Sequence, residues 1–281
     1  MISIIILTFN SEDSIGNTLR AAKCLSDDIR VVDSYSTDST IRIAENFGAK
    51  VIQHEFLSYG EQRNWAIENL DFPHGWQLHL DSDEILSDSL IGEIKLLKLG
   101  AESNVDGYYI PRLIRFMGRD LRHGGLYPIF HMRLFKKGKG RCELRKYDQH
   151  FYVSGSTGRL RNPIIDDHRM SLTEWVSRHN KWANAEVNEI ISPSKDGVVD
   201  AEFGSRDAVK HRRGLRHFYY GIPILVRPFL FFFYRYIFKL GFLDGKEGLI
   251  YLTLQTLWYR FLVDAKMYEK SLEKSLEKIN D

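Results

Sequence analysis

The 281-residue chain carries 39 basic and 37 acidic side chains, so its formal net charge is only +2. A hydrophobic content of 43% and an aromatic content of 13% exclude a disordered chain and are ordinary for one large or two small globular domains. The two cysteines, Cys24 and Cys142, are too few for a disulfide framework or a paired-cysteine metal site. We therefore expect a reducing, cytosolic compartment.

The near-neutral charge averages two unlike parts of the chain. From Gly204 onward there are 14 basic and 8 acidic residues, whereas the preceding residues have 25 and 29. The basic part also holds the most aromatic stretch, from His217 to Phe242. A basic, aromatic segment is typical of an element that lies on a membrane surface.

The first third of the chain alternates predicted strands with predicted helices. The apolar runs that predict strands are 2–7, 29–32, 50–54 and 76–80. The segments that predict helices are 11–25, 39–47 and 60–70. This alternation implies right-handed crossovers and an open α/β sheet.

Polar side chains follow the carboxyl ends of these strands, where ligands bind in such sheets. They are Thr8, Asn10, Asp33, Asp81 and Asp83. Because the chain has no glycine-rich phosphate loop, a bound diphosphate would most simply be neutralised by a metal ion. Asp81 and Asp83 offer the hard oxygen ligands that Mg²⁺ and Mn²⁺ prefer. A solvated acidic turn or a helix cap is the alternative.

Four blocks of the sequence resemble family 2 glycosyltransferases in their order and spacing. The blocks are IIILTFN at 4–10, VVDSYSTDST at 31–40, QRNWA at 62–66 and LDSDE at 80–84. The later segments resemble, more loosely, the bacterial branch that adds sugars to lipopolysaccharide core or other envelope glycans. The resemblance implies an α/β fold of the GT-A class, with a Rossmann-like nucleotide-binding part, here followed by a helical extension.

The resemblance implies a binding site for a nucleoside-diphosphate sugar, most often a UDP-sugar. Thr8 and Asn10 would line the nucleotide pocket, and Asp33 would accept a hydrogen bond from the base or the ribose. Arg63 would pair with the nucleotide or its phosphates. The alternatives are a turn residue for Asp33 and a surface cation of a helix for Arg63.

The resemblance also implies a divalent cation, Mn²⁺ or Mg²⁺, as cofactor. Asp83 would bind the cation, and Asp81 would contact the cation or the ribose. His168, in the sequence Asp166-Asp167-His168, would be a late metal ligand. A surface or capping histidine is the alternative.

Sugar transfer in this family normally inverts the anomeric centre and needs a carboxylate base from the second half of the chain. Gln149 stands where a glutamate is expected, and glutamine cannot accept the proton. Asp148 is the first candidate for the catalytic base, with Glu143 and His150 behind it. Asp148 could instead be a turn residue before a strand at 151–153.

Residues 107–116 and 127–135 alternate aromatic and polar side chains, as expected of strands that face an acceptor. The basic residues in this region are Arg112, Arg115, Arg119, Arg122 and His123. They would suit a phosphorylated or acidic glycan. Strand-surface arginines without a partner are the alternative.

The last third is predicted to be helical. Residues 171–190 form one amphipathic helix with Ser171 as N-cap, and 192–200 form a loop. The stretch 218–238 is long enough to cross a bilayer, but Arg227 and Arg235 interrupt it. Because these arginines are eight residues apart, we expect an in-plane amphipathic helix with both arginines at headgroup level. A second helix at 249–263 completes a hairpin. A helical subdomain or an oligomer interface is the alternative.

We therefore expect three parts: a nucleotide-sugar-binding half at 1–100, an acceptor-binding half at 101–203, and a membrane-associated helical region at 204–281. The expected function is an inverting, metal-dependent transfer of a hexose to a lipopolysaccharide-core or lipid-linked glycan, at the inner face of the cell membrane. A polyprenyl-phosphate sugar synthase and a non-catalytic sugar-nucleotide binder are the rivals. No nucleic-acid partner is expected, and a homo-oligomer stays open.

Overall fold

A computed structural model of the chain describes residues 1–100, 103–144, 149–191 and 219–280, with side chains up to residue 273. By packing, these residues divide into two units. We call residues up to 120 together with 127–169 the sheet unit. We call residues 121–126 together with those from Met170 onward the helical unit. The three ranges predicted from sequence stay an interpretation; packing groups the helix predicted at 171–190 with the C-terminal helices.

The sheet unit begins with four parallel strands in the order β3-β2-β1-β4. The strands are β1 (Ile2–Thr8), β2 (Asp28–Asp33), β3 (Lys50–Gln53) and β4 (Trp76–Asp81). The helices between them are α1 (Ile15–Lys23), α2 (Thr40–Asn46) and α3 (Tyr59–Asn69). The predicted alternation is confirmed, although α1 begins later than expected because residues 11–14 form a turn closed by Ser14 N and Ser11 O at 3.1 Å.

The second half of the sheet unit extends the same sheet with both antiparallel and parallel pairs. Its elements are β5 (Glu84–Leu86), α4 (Asp88–Lys95), β6 (Gly107–Phe116), β7 (Arg119–Leu121), β8 (Ile129–Lys136), β9 (Gly140–Cys142), β10 (Phe151–Val153), β11 (Thr157–Arg159) and β12 (Ile164–His168). The sheet continues from β4 in the order β8-β6-β12-β5, and β7 and β11 also pair with β6. β9 and β10 form a separate two-stranded sheet.

The strand β1 is buried on both faces, which explains its unbroken apolar sequence. Ile4 and Ile6 pack on one side of the sheet against a core that includes α1, whereas Ile5 and Leu7 pack on the other side with Ala66 of α3. Burying each such side chain stabilises the fold by roughly 1.5–3 kcal/mol. The register places Thr8 beside Asp33 and Leu7 beside Asp81. The polar strand ends therefore lie at one edge of the sheet.

The helical unit is built from α5 (Leu172–Ile191), α6 (Arg227–Phe233), α7 (Gly245–Leu252) and α8 (Tyr259–Asn280). Ser171 caps α5 as predicted: its hydroxyl accepts Glu174 N at 3.2 Å, and Glu174 accepts Ser171 N at 2.9 Å. α6 continues into a π-helical segment, Tyr234–Phe238. A second π-helical segment, Thr253–Trp258, joins α7 to α8. The helix predicted at 249–263 is thus part of a longer helical stretch.

The predicted placement of Arg227 and Arg235 at headgroup level is wrong. Arg227 is 1% exposed, and its Nε donates to both carboxylate oxygens of Asp264 at 2.9 Å. Arg235 donates to the carbonyl of Gly124. Both arginines turn toward the protein, because Asp264 and the Gly124 carbonyl satisfy their donors there. Within the described residues, every helix is too short or too polar to cross a bilayer.

Candidate active site

Two arginines converge on Asp81, the last residue of β4. Arg63 of α3 is 3% exposed; it donates to the Asp81 carboxylate and, at 3.2 Å, to the Leu80 carbonyl. Arg133 of β8 donates to Asp81 Oδ2 at 3.0 Å. Burial alone would raise the pKa of Asp81, but the two guanidinium groups hold it below its ordinary value. The Asp81 side chain is still 37% exposed, so it is an ionised group within reach of solvent.

Asn64, the residue after Arg63, anchors α3 to the backbone of Cys142 and so helps to hold Arg63 in this position. The Asn64 side chain donates to the Cys142 carbonyl at 2.9 Å and accepts the Cys142 N–H at 2.8 Å. The Arg63 guanidinium also lies 5.5 Å from the ring centre of Phe151. The alternative of a surface cation is therefore wrong for Arg63. Its predicted contact with a nucleotide stays a prediction.

Arg133 also pairs with Glu84, which is 2% exposed and closes the turn after β4. Arg133 Nη2 lies 2.5 Å from Glu84 Oε1, and Glu84 Oε2 accepts a hydrogen bond from Asp81 N at 2.9 Å. Burial alone would lower the pKa of Arg133, but Glu84 and Asp81 raise it above its ordinary value. Arg133 is therefore a fixed cation that sets the position of the carboxylates around the turn.

Asp83 lies where negative charge accumulates. Burial, followed by the nearby carboxylates of Asp166, Asp81 and Glu84, raises the pKa of Asp83 to about 7, and His168 opposes this shift. Asp167 N donates to the Asp83 carbonyl at 3.0 Å, which ties the turn to β12. The structure thus brings the predicted metal-binding residues Asp81, Asp83 and His168 to one place.

His168 and Asp166 line this site from β12. His168 Nε2 lies 3.0 Å from Asp166 Oδ1, and Arg112 Nη1 lies 3.4 Å from Asp166 Oδ2. In the antiparallel register of β12 and β5, Asp166 lies opposite Glu84. The His168 side chain is only 12% exposed, so the alternative of a surface histidine is wrong.

The acidic residues fit a cation that is shared with a ligand. Among the described residues, no three His, Cys, Asp or Glu side chains are arranged to hold a metal ion by themselves. Mg²⁺ commonly binds through one or two carboxylates together with substrate phosphates. Burial and the neighbouring carboxylates raise the pKa of Asp83, so a divalent cation would favour its ionised form. Asp83 is the best available ligand, because Asp81 already pairs with two arginines.

The loops after β1 and β2 are tied to each other by hydrogen bonds. Asn10 Oδ1 accepts Thr37 N at 2.8 Å, and Asn10 N donates to Ser36 Oγ at 2.8 Å. Thr8 is 5% exposed, and its Oγ1 has no hydrogen-bond partner among the described residues. The structure therefore brings Thr8, Asn10 and the loop after β2 together, as the predicted nucleotide pocket requires.

Asp33 is fully buried and organises this second loop. Its carboxylate accepts Ser36 N at 2.8 Å, Ser36 Oγ at 2.5 Å and Gln53 Nε2 at 3.4 Å. These bonds match the turn role that the sequence left as an alternative. A direct contact between Asp33 and a ligand would have to displace the Ser36 hydroxyl, so that contact stays a prediction.

Tyr35, in the same loop, has an unusual backbone conformation. Its φ is 61°, in the left-handed region that a bulky side chain rarely adopts, and 56% of its surface is exposed. Strained residues of this kind concentrate at functional sites, where surrounding structure holds them in place. Here the Asp33–Ser36 and Asn10–Thr37 bonds flank the strained residue.

The candidate bases are only partly described. Glu143 is 6% exposed; its Oε2 accepts His150 N at 3.2 Å, and its own N–H donates to the His150 carbonyl at 3.0 Å. Asp148 lies outside the described residues. The assignment of a general base therefore stays a prediction.

The predicted acceptor-facing arginines include two with carboxylate partners. Arg112 meets Asp166 at 3.4 Å, and Arg115 meets Asp120 at 2.7 Å. The alternative of partnerless surface arginines is wrong for both. The paired residues missed from sequence are Arg133, Glu84 and Asp166. Arg133 interrupts an apolar run, Met132 to Phe135, which was the available signal.

The sequence profile described as glycosyl transferase family 2 matches residues 3–169, more than half of the chain. The chain belongs to this family. An uncharacterized glycosyltransferase of Rickettsia typhi is 38% identical over 120 residues, which is 42% of this chain and 40% of that protein. One of Rickettsia felis is 27% identical over 279 residues, covering 97% of this chain and 91% of that protein. The chain thus matches less than half the length of the R. typhi relative.

Among solved structures, this family 2 chain is similar to a mannosyltransferase of Pyrobaculum calidifontis in complex with GDP-Man and Mn²⁺. The TM-score is 0.51 at 13% identity, over 95% of this chain and 86% of that one. The likeness concerns the fold. Together with the family match, it confirms the predicted family and the predicted GT-A fold.

Proposed function

We propose that this family 2 glycosyltransferase transfers a hexose from a nucleoside-diphosphate sugar to a hydroxyl group of a lipopolysaccharide-core or lipid-linked glycan. The observation that carries the proposal is the group of Asp81, Asp83 and Asp166 with Arg63 and Arg133 at the carboxyl ends of the strands. UDP is the first candidate nucleotide, because the family most often uses it. GDP is the second, since the similar mannosyltransferase binds GDP-Man.

The arginines and the acidic residues would divide the work of binding the donor. Asp83 would hold Mn²⁺ or Mg²⁺, with His168 beside it. When bound, the cation stabilises the negative charge that develops on the departing diphosphate. Arg63 would turn from Asp81 toward the phosphates, while Arg133 keeps Asp81 and Glu84 in place. Asp81 is then available to the ribose.

The transfer would be a single displacement that inverts the anomeric carbon. The acceptor oxygen forms a bond to this carbon while the bond from the carbon to the diphosphate oxygen breaks. The nucleoside diphosphate leaves with that electron pair, and the hydroxyl proton passes to a carboxylate of the enzyme. Asp148 is the proposed base; Glu143 is second, because its carboxylate already accepts the His150 N–H.

Replacement of Asp83 tests the donor site. Titration of UDP or GDP with Mn²⁺ into the Asp83→Ala variant should lose the Mn²⁺-dependent part of the binding. Asp71→Ala is the matched control, because its carboxylate is fully exposed on the same unit. Unchanged Mn²⁺-dependent affinity in Asp83→Ala would refute the cation assignment. A thermal-shift panel of nucleotide sugars with Mn²⁺ and Mg²⁺ identifies the donor.

Replacement of the proposed base distinguishes the acceptor classes. A hydroxyl acceptor predicts a large loss of turnover in Asp148→Asn, roughly 10²–10⁴-fold. A polyprenyl-phosphate acceptor is already ionised and predicts a nearly unchanged rate. No transfer or hydrolysis with any nucleotide sugar would favour a non-catalytic binder.

We also propose that the protein works as a peripheral protein at the inner face of the cell membrane, where such acceptors are presented. The basis is the exposed aromatic surface of the helical unit.

A further inference from the structure

The helix α6 and the residues after it expose large apolar side chains to solvent. We call six of them the apolar ridge: Phe229, Leu230, Phe233, Ile237, Phe238 and Phe242, which are 46–75% exposed. Phe229, Phe233 and Ile237 are spaced four residues apart along α6 and the π-helical segment, and Leu230 and Phe238 adjoin them. Phe242 follows in the short helix Gly241–Asp244. An exposed apolar surface of this kind on a soluble unit marks an interaction site.

The two arginines of this segment are held by the protein. Arg227 is closed off by Asp264 and by the rings of Tyr219 and Tyr220, whose centres lie 5.0 and 4.6 Å from its guanidinium carbon. Burial lowers the pKa of Arg235 to about 10, and its Nε donates to the Gly124 carbonyl. Both arginines therefore bond to the protein, and neither would have to enter the hydrocarbon with the ridge.

The exposed charges beside the ridge are positive. Within residues 224–250, all of which the structure describes, the exposed charged side chains are Lys239 and Lys246. Lys239 Nζ lies 5.6 Å from the ring centre of Tyr234. Of the two acidic residues in this range, Asp244 is 3% exposed and accepts the His123 N–H at 2.8 Å, and Glu247 is half-buried.

This charge pattern favours a lipid surface over a second copy of the chain. A two-fold interface formed by the ridge would bring the same two lysines of each copy toward each other. An anionic bilayer instead offers hydrocarbon to the aromatic side chains and phosphate groups to the lysines. Every described helix is too short or too polar to cross a bilayer, which leaves an in-plane arrangement for α6.

We propose that the apolar ridge enters the boundary between headgroups and acyl chains of an anionic bilayer, with Lys239 and Lys246 at the lipid phosphates. The inference deepens the proposed membrane association: the phenylalanines make the contact, and the arginines hold the helix to the protein instead of reaching the headgroups. Because the lysines contribute an electrostatic part and the ridge an apolar part, added salt should weaken binding to anionic vesicles without abolishing it.

Vesicle flotation of the full chain tests this inference. The protein should float with vesicles of phosphatidylglycerol and phosphatidylethanolamine, and much less with phosphatidylcholine alone. Phe233→Ser with Phe238→Ser should weaken binding by roughly 100-fold, because two large apolar contacts are lost. The control Leu96→Ser removes an 85% exposed apolar side chain of the sheet unit and should change nothing.

The charge contribution has its own variant. Lys239→Glu with Lys246→Glu should reduce flotation with anionic vesicles by roughly tenfold and leave binding to neutral vesicles unchanged. All these positions are exposed, so unchanged thermal unfolding shows that the variants fold.

Three results would overturn the inference. Flotation that is unaffected by the Phe233→Ser, Phe238→Ser variant would move the contact elsewhere. Equal binding to neutral and anionic vesicles would show that the lipid phosphates do not attract Lys239 and Lys246. Absence of flotation would show that the ridge does not bind lipid. A dimer seen by light scattering and lost in Phe238→Ser would then identify the ridge as an interface between two copies. A monomer would indicate that the protein itself covers the ridge.

Nucleotide binding in solution separates this inference from the proposed function. The ridge variants should bind Mn²⁺ and UDP or GDP as the unmodified protein does. If no nucleotide binds while flotation persists, the proposed function fails and the membrane surface stands.

Discussion

In the sheet unit, Arg63 and Arg133 converge on a carboxylate that is still 37% exposed, whereas in the helical unit Arg227 meets Asp264 where neither side chain exceeds 2% exposure. The two arrangements use the same chemistry, an arginine beside an aspartate. Solvent access separates them. An arginine at an open carboxylate can exchange that partner for an incoming phosphate, while a closed pair has no room for exchange and serves the fold.

The same contrast extends to the neighbours of each pair. In the sheet unit, burial together with the nearby carboxylates of Asp166, Asp81 and Glu84 raises the pKa of Asp83 to about 7. In the helical unit, Glu186 is fully buried, and its carboxylate accepts from Tyr259 Oη and Arg260 Nη1, both at 2.8 Å. The carboxylates around Asp83 thus repel one another, whereas the Glu186 carboxylate is matched by hydrogen-bond donors.

The largest expected effect is on the closed pair. Asp264→Ala leaves the Arg227 charge buried without its carboxylate, which should lower the free energy of unfolding by about 3–5 kcal/mol. Urea unfolding measures the loss. Arg227→Met combined with Asp264→Leu removes both charges and should recover most of it. A loss below about 1 kcal/mol in Asp264→Ala would mean that the pair is no more than a surface ion pair.

The next effect concerns the open site. Arg133→Gln removes a charge-assisted partner of Asp81 and Glu84, which should cost about 1.5–3 kcal/mol of stability. It should also weaken Mn²⁺-dependent nucleotide binding by roughly tenfold or more, because Asp81 is no longer held by two arginines. Arg141→Gln is the control, since Arg141 forms an exposed pair with Glu68 in the same unit. Equal affinity in both variants would leave Arg133 with a structural role alone.

The pH dependence of stability should be visible at Asp83. A carboxyl group whose pKa is raised in the folded state binds more protons when folded, so stability falls as pH rises from about 4 to about 7. A divalent cation binds the ionised form, so stabilisation by Mn²⁺ should grow across the same range. Thermal unfolding with and without Mn²⁺ measures both trends. Asp83→Asn should lose them; if it keeps them, another group titrates.

The smallest effect is expected at Tyr35. Tyr35→Gly relieves a left-handed backbone conformation and should stabilise the sheet unit by about 1 kcal/mol or less. Strain at Tyr35 would be useful if its ring contacts the bound sugar nucleotide. In that case nucleotide affinity should fall by roughly threefold in Tyr35→Gly. Tyr35→Phe should leave both quantities close to those of the unmodified protein. Lower stability in Tyr35→Gly would show that the ring itself supports the loop.

Local patterns in the sequence predicted the parallel strands and their helices, because each of these elements is specified by its own neighbours along the chain. They also placed Asp81 and Asp83 at a strand end. The role of Arg133 was not predicted, because its contact with Asp81 depends on the antiparallel pairing of β8 with β4. This pairing joins residues about fifty positions apart in the chain. Sequence-distant pairing of this kind leaves no local periodicity.

The spacing of Arg227 and Arg235 illustrates the same limit in the helical unit. It predicted that both lie on one helical face. Which side that face turns to depends on Asp264, 37 residues later in the chain, and on the Gly124 carbonyl, 111 residues before Arg235. The amphipathic pattern alone could not tell an arginine that reaches lipid headgroups from one that is buried.

The π-helical segment Thr253–Trp258 affects which side of the long C-terminal helix each later residue faces. A π-helical turn holds an extra residue relative to an α-helical turn, and one residue corresponds to about 100° of rotation. Tyr259, Val263 and Asp264, which follow this segment, contact α5 and Arg227. A deletion of one residue in 253–258 would turn the rest of the helix away from these partners. Chain length in this segment is therefore as constrained as side-chain identity, and substitutions should be tolerated here far better than insertions or deletions.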